Sequence, residues 1–331
     1  MRIVVTSRRL TDREPYDEIV EEYGGELVYG DCQSEEDAIG FCADADVIIG
    51  GFVPVTARVM DAAGDLRAIL VHAAGYDAVD VPEATYRGIP VANTPGYGSD
   101  AVAGHAMALA LAASHQIARF DRRMREQPGW VRESIYPLHG DTMGIVGLGR
   151  IGRKLVPKAR GFDMDVIAYD PHLPEDVFDL LEVERVSFEA LLDRSDCISI
   201  HAPLTAVSHQ LFGRDEFERM RDMAVLVNAA RGPIVDEEAL CSALENGEIR
   251  AAGLDVFERE PPDASPLLDL ENVVLTPHVA GGTEVAHDNV EAIMRAELRR
   301  VLDGEPLANV VNPSVYQYRG DQVTTPDEDR T

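Results

Sequence analysis

Short apolar runs alternate with polar, helix-compatible stretches over roughly the first 95 residues. The runs are IVVT (3–6), ELVY (26–29), DVIIGG (46–51), LRAILVHAAG (66–75) and IPVANT (89–94). Strand-length apolar segments interleaved with helical ones predict βα units and a parallel sheet. None of the intervening loops carries a glycine signature for phosphate. An Ala- and Leu-rich segment then predicts one long helix over residues 99–124, closed by the breaker pair Pro128-Gly129.

A second α/β series starts at Thr142 with TMGIVGLGRIG and continues through MDVIAYD, CISIHAP, AVLVNAAR, AAGLDVF and VVLTPHVA. Their Val/Ile/Leu cores suit strands covered on both faces, and six of them suffice for a dinucleotide-binding sheet. A further helix is expected over 284–303, followed by NVVNP. The polar end, from about Tyr318, reads as a disordered tail. With 331 residues the chain can bury two cores without a disulfide or metal staple, so the fold class is α/β with two doubly wound parallel-sheet domains.

Composition narrows the function. No run approaches the roughly 18 apolar residues of a membrane span, and MRIVVTSRRLTD reads as a first strand rather than a secretory signal. Cys32, Cys42, Cys197 and Cys241 show no metal spacing and read as reduced, buried thiols of a cytoplasmic protein. The 59 acidic residues outweigh 30 basic ones, only two of them lysines (Lys154 and Lys158), giving a net charge of −29. That balance argues against a nucleic-acid partner and, through self-repulsion that dense salt would screen, for a salt-adapted protein.

The chemistry starts at Gly147-Leu148-Gly149-Arg150-Ile151-Gly152, a G-x-G-x-x-G between an apolar strand and a helix. Its glycines permit a tight turn and close approach to a pyrophosphate at the helix N-terminus. Asp170 ends the next strand, 18 residues beyond Gly152, where an acid that bonds a ribose 2′-hydroxyl belongs. A carboxylate there repels a 2′-phosphate and no Arg follows in Asp170-Pro171-His172, which favours NAD over NADP.

In an open parallel sheet the ligand lies beyond the carboxyl ends of the strands. Three strands end in reactive groups: Arg231, then Asp255 with Glu260 just after it, then His278. Reducing a 2-oxo acid needs a cation for the carboxylate and carbonyl oxygen and an acid for that oxygen, tasks that suit Arg231 and His278. Glu260 would stabilise the imidazolium and orient the ring. The other histidines, His72, His105 and His201 among them, are assigned packing or secondary roles.

Through GIVGLGRIG, HAPLT (201–205), VNAARG (227–232), GLDVFEREP (253–261) and TPHVAG (276–281), the chain resembles the D-isomer-specific 2-hydroxyacid dehydrogenases up to about Pro313. The resemblance implies Arg231 as substrate-binding, His278 as acid/base and Glu260 as its partner. It also implies Asp255 at the nicotinamide carboxamide, Arg150 and Ile151 on the pyrophosphate, and Ala202, Ala229 and Gly281 along the cofactor, with no metal. A Rossmann domain (99–284) would interrupt a flavodoxin-like substrate domain (1–98 plus 285–331), and the protein would be a homodimer. Ala73-Ala74-Gly75-Tyr76-Asp77 resembles the substrate-carboxylate loop, with Ala74 and Gly75 as contacts.

Two departures bear on the substrate. His72 stands where phosphoglycerate dehydrogenases usually have Arg, and Phe52-Val53-Pro54 lacks basic residues for a phosphate. No regulatory domain is expected after the core. The expected substrate is therefore an unphosphorylated acid such as glyoxylate, hydroxypyruvate or a longer 2-oxo acid. The alternatives are D-3-phosphoglycerate, or a non-catalytic NAD(H)-sensing interaction protein of the same fold.

Overall fold

The structure is a computed structural model and describes residues 1–7, 13–126 and 132–318. The expected break at Pro128-Gly129 and residues 319–331 of the expected tail lie outside the described residues. Two compact units divide the chain: one of Met1–Tyr97 together with the segment from His287, the other of Gly98–Ala286.

The first unit carries β1 (Arg2–Val5), β2 (Glu26–Tyr29), β3 (Val47–Gly50), β4 (Ala68–Val71) and β5 (Val91–Ala92) in the all-parallel order β2-β1-β3-β4-β5. That is the doubly wound, flavodoxin-type order. The central strands β3 and β4 are buried at every position, which is why they read as continuous apolar runs. The helix Glu284–Asp303 brings the chain back to this sheet. Its Val290, Met294, Leu298 and Val301 recur at helical spacing and join Ile3, Val5 and Ile49 in one core.

The second unit holds β6 (Thr142–Val146), β7 (Asp165–Tyr169), β8 (Glu184–Arg185), β9 (Cys197–Ile200), β10 (Val225–Asn228), β11 (Ala251–Leu254) and β12 (Val273–Leu275). The order β12-β11-β10-β9-β6-β7-β8 reverses direction between β6 and β9, the switch point at which dinucleotides bind. The sheet has seven strands, one more than expected. The extra strand, β8, is a two-residue exposed edge (Glu184 and Arg185) with no apolar pattern to announce it.

The expected single helix over 99–124 is two helices, Ser99–Ser114 and Ile117–Glu126. Gln116 takes φ +54 between them. The terminal carbonyl of Ser114 accepts from Arg250 Nη2 at 2.9 Å, and that guanidinium lies 3.8 Å from the Tyr136 ring centroid. Partners more than 20 residues away end the helix, and no local breaker does. The first helix buries Ala103, Ala106, Ala110 and Ala113; Leu109 fits closely because a Cβ at Gly253 would lie 2.8 Å from its own Cβ. Tyr318 closes a short helix, Val315–Tyr318, the final element among the described residues.

All four cysteines are free and buried. Burial pushes the Cys42 and Cys197 thiols up to about 12 and Cys241 to about 11, leaving them unreactive. Among the described residues no helix is long and apolar enough to cross a membrane, and no group of three or more His, Cys, Asp or Glu could hold a metal ion.

Candidate active site

Each glycine of the loop after β6 meets a different constraint. Gly147 has φ +92, and a Cβ there would stand 2.8 Å from the Ala202 nitrogen. Gly152 packs its helix on the loop, where a Cβ would meet the Gly147 carbonyl oxygen at 2.3 Å. Gly149 faces open space and caps the helix Arg150–Arg160 without a side-chain partner, so the helix amides point outward. A tight turn, an open approach and close helix packing are what a pyrophosphate at a helix N-terminus requires, and these residues fit a dinucleotide. Asp170 follows β7 and accepts from the Leu148 amide and the His172 amide, both at 3.0 Å, which ties the acid to the glycine loop.

The candidate reacting groups lie beyond the carboxyl ends of β10, β11 and β12. His278 Nδ1 and Glu260 Oε2 are 2.7 Å apart, each side chain a little over one-third exposed. Glu260 Oε1 also accepts from the Phe257 amide at 3.2 Å. Burial pushes the Glu260 carboxyl up. The hydrogen bond and charge of His278, the Phe257 amide and the Arg231 charge together outweigh burial and hold it below the usual carboxylate range. With Nδ1 committed to the carboxylate, Nε2 is the ring nitrogen left to a further partner.

Arg231 lies in extended backbone before a 3₁₀ turn, Gly232–Ile234. Asn228 braces that turn, its side chain donating to the Arg231 carbonyl at 2.9 Å and accepting from the Ala230 amide at 3.0 Å. Gly232 crosses the chain so closely that a Cβ would overlap the Phe257 carbonyl at 1.9 Å. This crossing brings Arg231 to the Glu260 loop. VNAARG contains Gly232, but only the tertiary crossing reveals what it does.

Asp255, the residue expected at the nicotinamide carboxamide, sits beneath the turn that carries His278. It is 1% exposed, and its carboxylate accepts from the Thr276 hydroxyl at 2.5 Å and from the Val279 and Ala280 amides at 2.9 Å. Its carbonyl accepts from the His278 amide at 2.8 Å. A buried carboxylate needs such donors, and these ones clamp the turn that carries His278 in the left-handed region at φ +53. His105 supports the clamp through Thr276 Oγ1 at 2.9 Å. Ala202 stands one residue beyond the end of β9, after His201, Ala229 directly follows β10, and Gly281 lies beyond the clamped turn. His201 bonds Ser199 at 2.9 Å, while its buried Nδ1 has no partner and burial pushes its pKa down to about 4.

In the first unit, the loop 73–77 follows β4. The Ala73 carbonyl accepts from the Thr94 amide at 3.0 Å and the Ala74 carbonyl from the Asn93 side chain at 2.6 Å, so both carbonyls are pinned. Gly75 lies half-buried at its centre. His72 turns inward, 2.9 Å from the buried Glu291 carboxylate.

The family model described as "D-isomer specific 2-hydroxyacid dehydrogenase, NAD binding domain" matches residues 107–280, more than half of the chain. The chain belongs to the D-isomer specific 2-hydroxyacid dehydrogenase family. This dehydrogenase is 41% identical over 283 residues to a glyoxylate reductase of Korarchaeum cryptofilum, covering 83% of this chain and 85% of that one. It is also 41% identical over 273 residues to a D-3-phosphoglycerate dehydrogenase of Archaeoglobus fulgidus, covering 81% of this chain and 52% of that relative, about half its length. A crystal structure of a glyoxylate reductase from Paecilomyes thermophila superposes with a TM-score of 0.82 at 28% identity, covering 95% and 99% of the two chains. The protein is thus an oxidoreductase acting on small 2-hydroxy or 2-oxo acids with a nicotinamide cofactor.

Proposed function

We propose that this dehydrogenase interconverts a small unphosphorylated 2-oxo acid and its D-2-hydroxy acid with NAD(H), His278 acting as acid/base, Glu260 as its partner and Arg231 as substrate ligand. The observation that carries the reading is the 2.7 Å His278–Glu260 pair, which directs the imidazole's second nitrogen to the substrate. A bound nicotinamide would supply or accept the hydride. In the reducing direction the imidazolium gives its Nε2 proton to the substrate's carbonyl oxygen, and Glu260 stabilises the ring while it is charged. Arg231 holds the substrate carboxylate with its planar fork of donors. Gly147, Gly149, Arg150, Ile151 and Gly152 hold the pyrophosphate, and Asp170 takes the ribose hydroxyls. Ala202, Ala229 and Gly281 line the cofactor, while Asp255 acts by fixing the His278 turn.

The unit containing residues 73–77 serves as the substrate domain, with Ala74 and Gly75 facing the substrate carboxylate. We further infer a salt-adapted cytoplasmic homodimer. The charge of −29 and the four reduced thiols support salt adaptation and the compartment. Exposed Ile117 and Met124 on the helix Ile117–Glu126, each 56% exposed, support an apolar subunit contact. Glyoxylate or hydroxypyruvate fits the 41% identity to a glyoxylate reductase, and equal identity to a phosphoglycerate dehydrogenase makes phosphohydroxypyruvate the second substrate to test.

The test is NADH oxidation in molar KCl and in dilute buffer with glyoxylate, hydroxypyruvate, pyruvate, branched 2-oxo acids and phosphohydroxypyruvate, beside His278→Ala and Arg231→Ala. Turnover of an unphosphorylated acid that both substitutions abolish is the expected result. Preference for phosphohydroxypyruvate would overturn the substrate reading. Tight NADH binding without turnover of any acid would favour a sensing protein.

A further inference from the structure

A cleft of about 440 Å³ opens beside the glycine loop, lined by Tyr169, Asp170, Pro171, Arg185, Val186 and Ser187. Arg185 is the one basic side chain in that lining. It comes from β8, the edge strand that the apolar pattern did not announce, and sits 15 residues beyond Asp170. Three contacts hold its guanidinium. Nη2 donates to the Asp170 carbonyl at 3.4 Å, Nη1 meets Glu175 Oε2 at 3.2 Å, and the central carbon lies 5.2 Å from the Phe178 ring centroid. The side chain remains 34% exposed, so a positioned cation faces the cleft.

We propose that Arg185 is a binding residue for the 2′-phosphate of an NADP-type cofactor and that Glu175, by occupying its guanidinium, sets the discrimination between NAD(H) and NADP(H). The inference rests on the dinucleotide reading of the Gly147–Gly152 loop. Asp170 ends at the same wall with its carboxylate oxygens drawn to the Leu148 and His172 amides, while its carbonyl faces the guanidinium. Arginine's planar fork matches phosphate oxygens, and a guanidinium already fixed by an aromatic face and a carbonyl loses little freedom on binding. Against this, Asp170 and Glu175 contribute two negative charges to one positive. A 2′-hydroxyl is indifferent to that sum, and a 2′-phosphate near charge −2 is not.

Glu175 is the removable part of this balance. It is 66% exposed in the first turn of the helix Glu175–Leu181, whereas Asp170 is tied to the glycine loop. Removing one charge on the order of 6 Å from a dianion in a water-like dielectric is worth about tenfold in affinity at low ionic strength, and less as salt screens it.

The experiment is titration of wild type, Glu175→Gln, Arg185→Ala and the double variant with NADH and NADPH, followed by nicotinamide fluorescence at the lowest KCl concentration that keeps the protein folded. Displacement by 2′-phospho-ADP-ribose and by ADP-ribose provides a readout independent of turnover. Glu175→Gln should tighten NADPH and 2′-phospho-ADP-ribose about five- to tenfold and leave NADH within twofold. Arg185→Ala should weaken NADPH about tenfold and remove the Glu175→Gln gain in the double variant. NADPH affinity that ignores both substitutions while NADH binds normally would overturn the assignment of Arg185 alone. Equal weakening of both cofactors by Arg185→Ala would overturn it too, showing that the residue grips the shared adenosine. A folded wild type that binds neither nucleotide would overturn the dinucleotide reading and this inference with it.

Discussion

Replacing Asp255 with Asn removes one charge and one acceptor while keeping the shape of the side chain. The carboxylate takes three donors, the Thr276 hydroxyl and the Val279 and Ala280 amides, at a residue 1% exposed. Whichever way the new amide lies, its NH₂ points at an N–H, so at least one backbone donor loses its acceptor. A buried hydrogen bond to a charged group contributes about 1.5–3 kcal/mol, and a stranded donor costs about 1–3 kcal/mol. A total near 3 kcal/mol corresponds to a Tm lower by about 6–12 °C for a unit of this size. The clamp also holds His278 at φ +53, a conformation about 1 kcal/mol or more above the ordinary basins. Loosening it lets His278 leave Glu260, so kcat/KM should fall at least tenfold with it. Thermal unfolding in molar KCl, NADH titration and steady-state kinetics measure the three consequences. A wild-type Tm combined with weakened NADH binding would refute the clamp and return Asp255 to direct contact with the nicotinamide.

Glu260→Gln keeps a hydrogen-bond partner for His278 Nδ1 and removes the charge. Kinetics should show a 10- to 100-fold loss in kcat/KM with Tm within 2 °C of wild type, the pair being exposed enough for solvent to screen its share of stability. Gly232→Ala drives a Cβ into the Phe257 carbonyl and should displace Arg231, raising KM for the 2-oxo acid more than tenfold while NADH affinity holds. An unchanged KM would mean that the crossing relaxes without moving the guanidinium. For His201, burial lowers the folded-state pKa to about 4, below the unfolded value near 6.5. Its contribution is therefore complete above pH 6.5 and lost as pH falls towards 4, amounting to about 2 kcal/mol at pH 5. Denaturant unfolding at pH 7.5 and 5 should show that extra loss in wild type and not in His201→Phe; equal losses would place the titration elsewhere.

Periodicity along the chain determined both parallel sheets, because strands covered on two faces must be apolar throughout, as Val47–Gly50 and Cys197–Ile200 are. Local spacing also brought out the glycine turn and Asp170, since a strand, a tight turn and a helix start form within one stretch of chain. What remained hidden depends on partners far apart in sequence. Arg250 ends the helix at Ser114 from 136 residues away, and Gly232 must be glycine because Phe257 passes across it. Asp255 and His278 follow the neighbouring strands β11 and β12, yet only the folded turn shows the carboxylate facing inward as a clamp. The short edge strand Glu184–Arg185 buries no apolar face and leaves no periodic signal, and so the Asp170-Pro171-His172 window shows an acid without its arginine. Hydrophobic burial repeats along the chain and can be read there, whereas hydrogen bonds and charges act across space and are assigned only once the strands have brought their ends together.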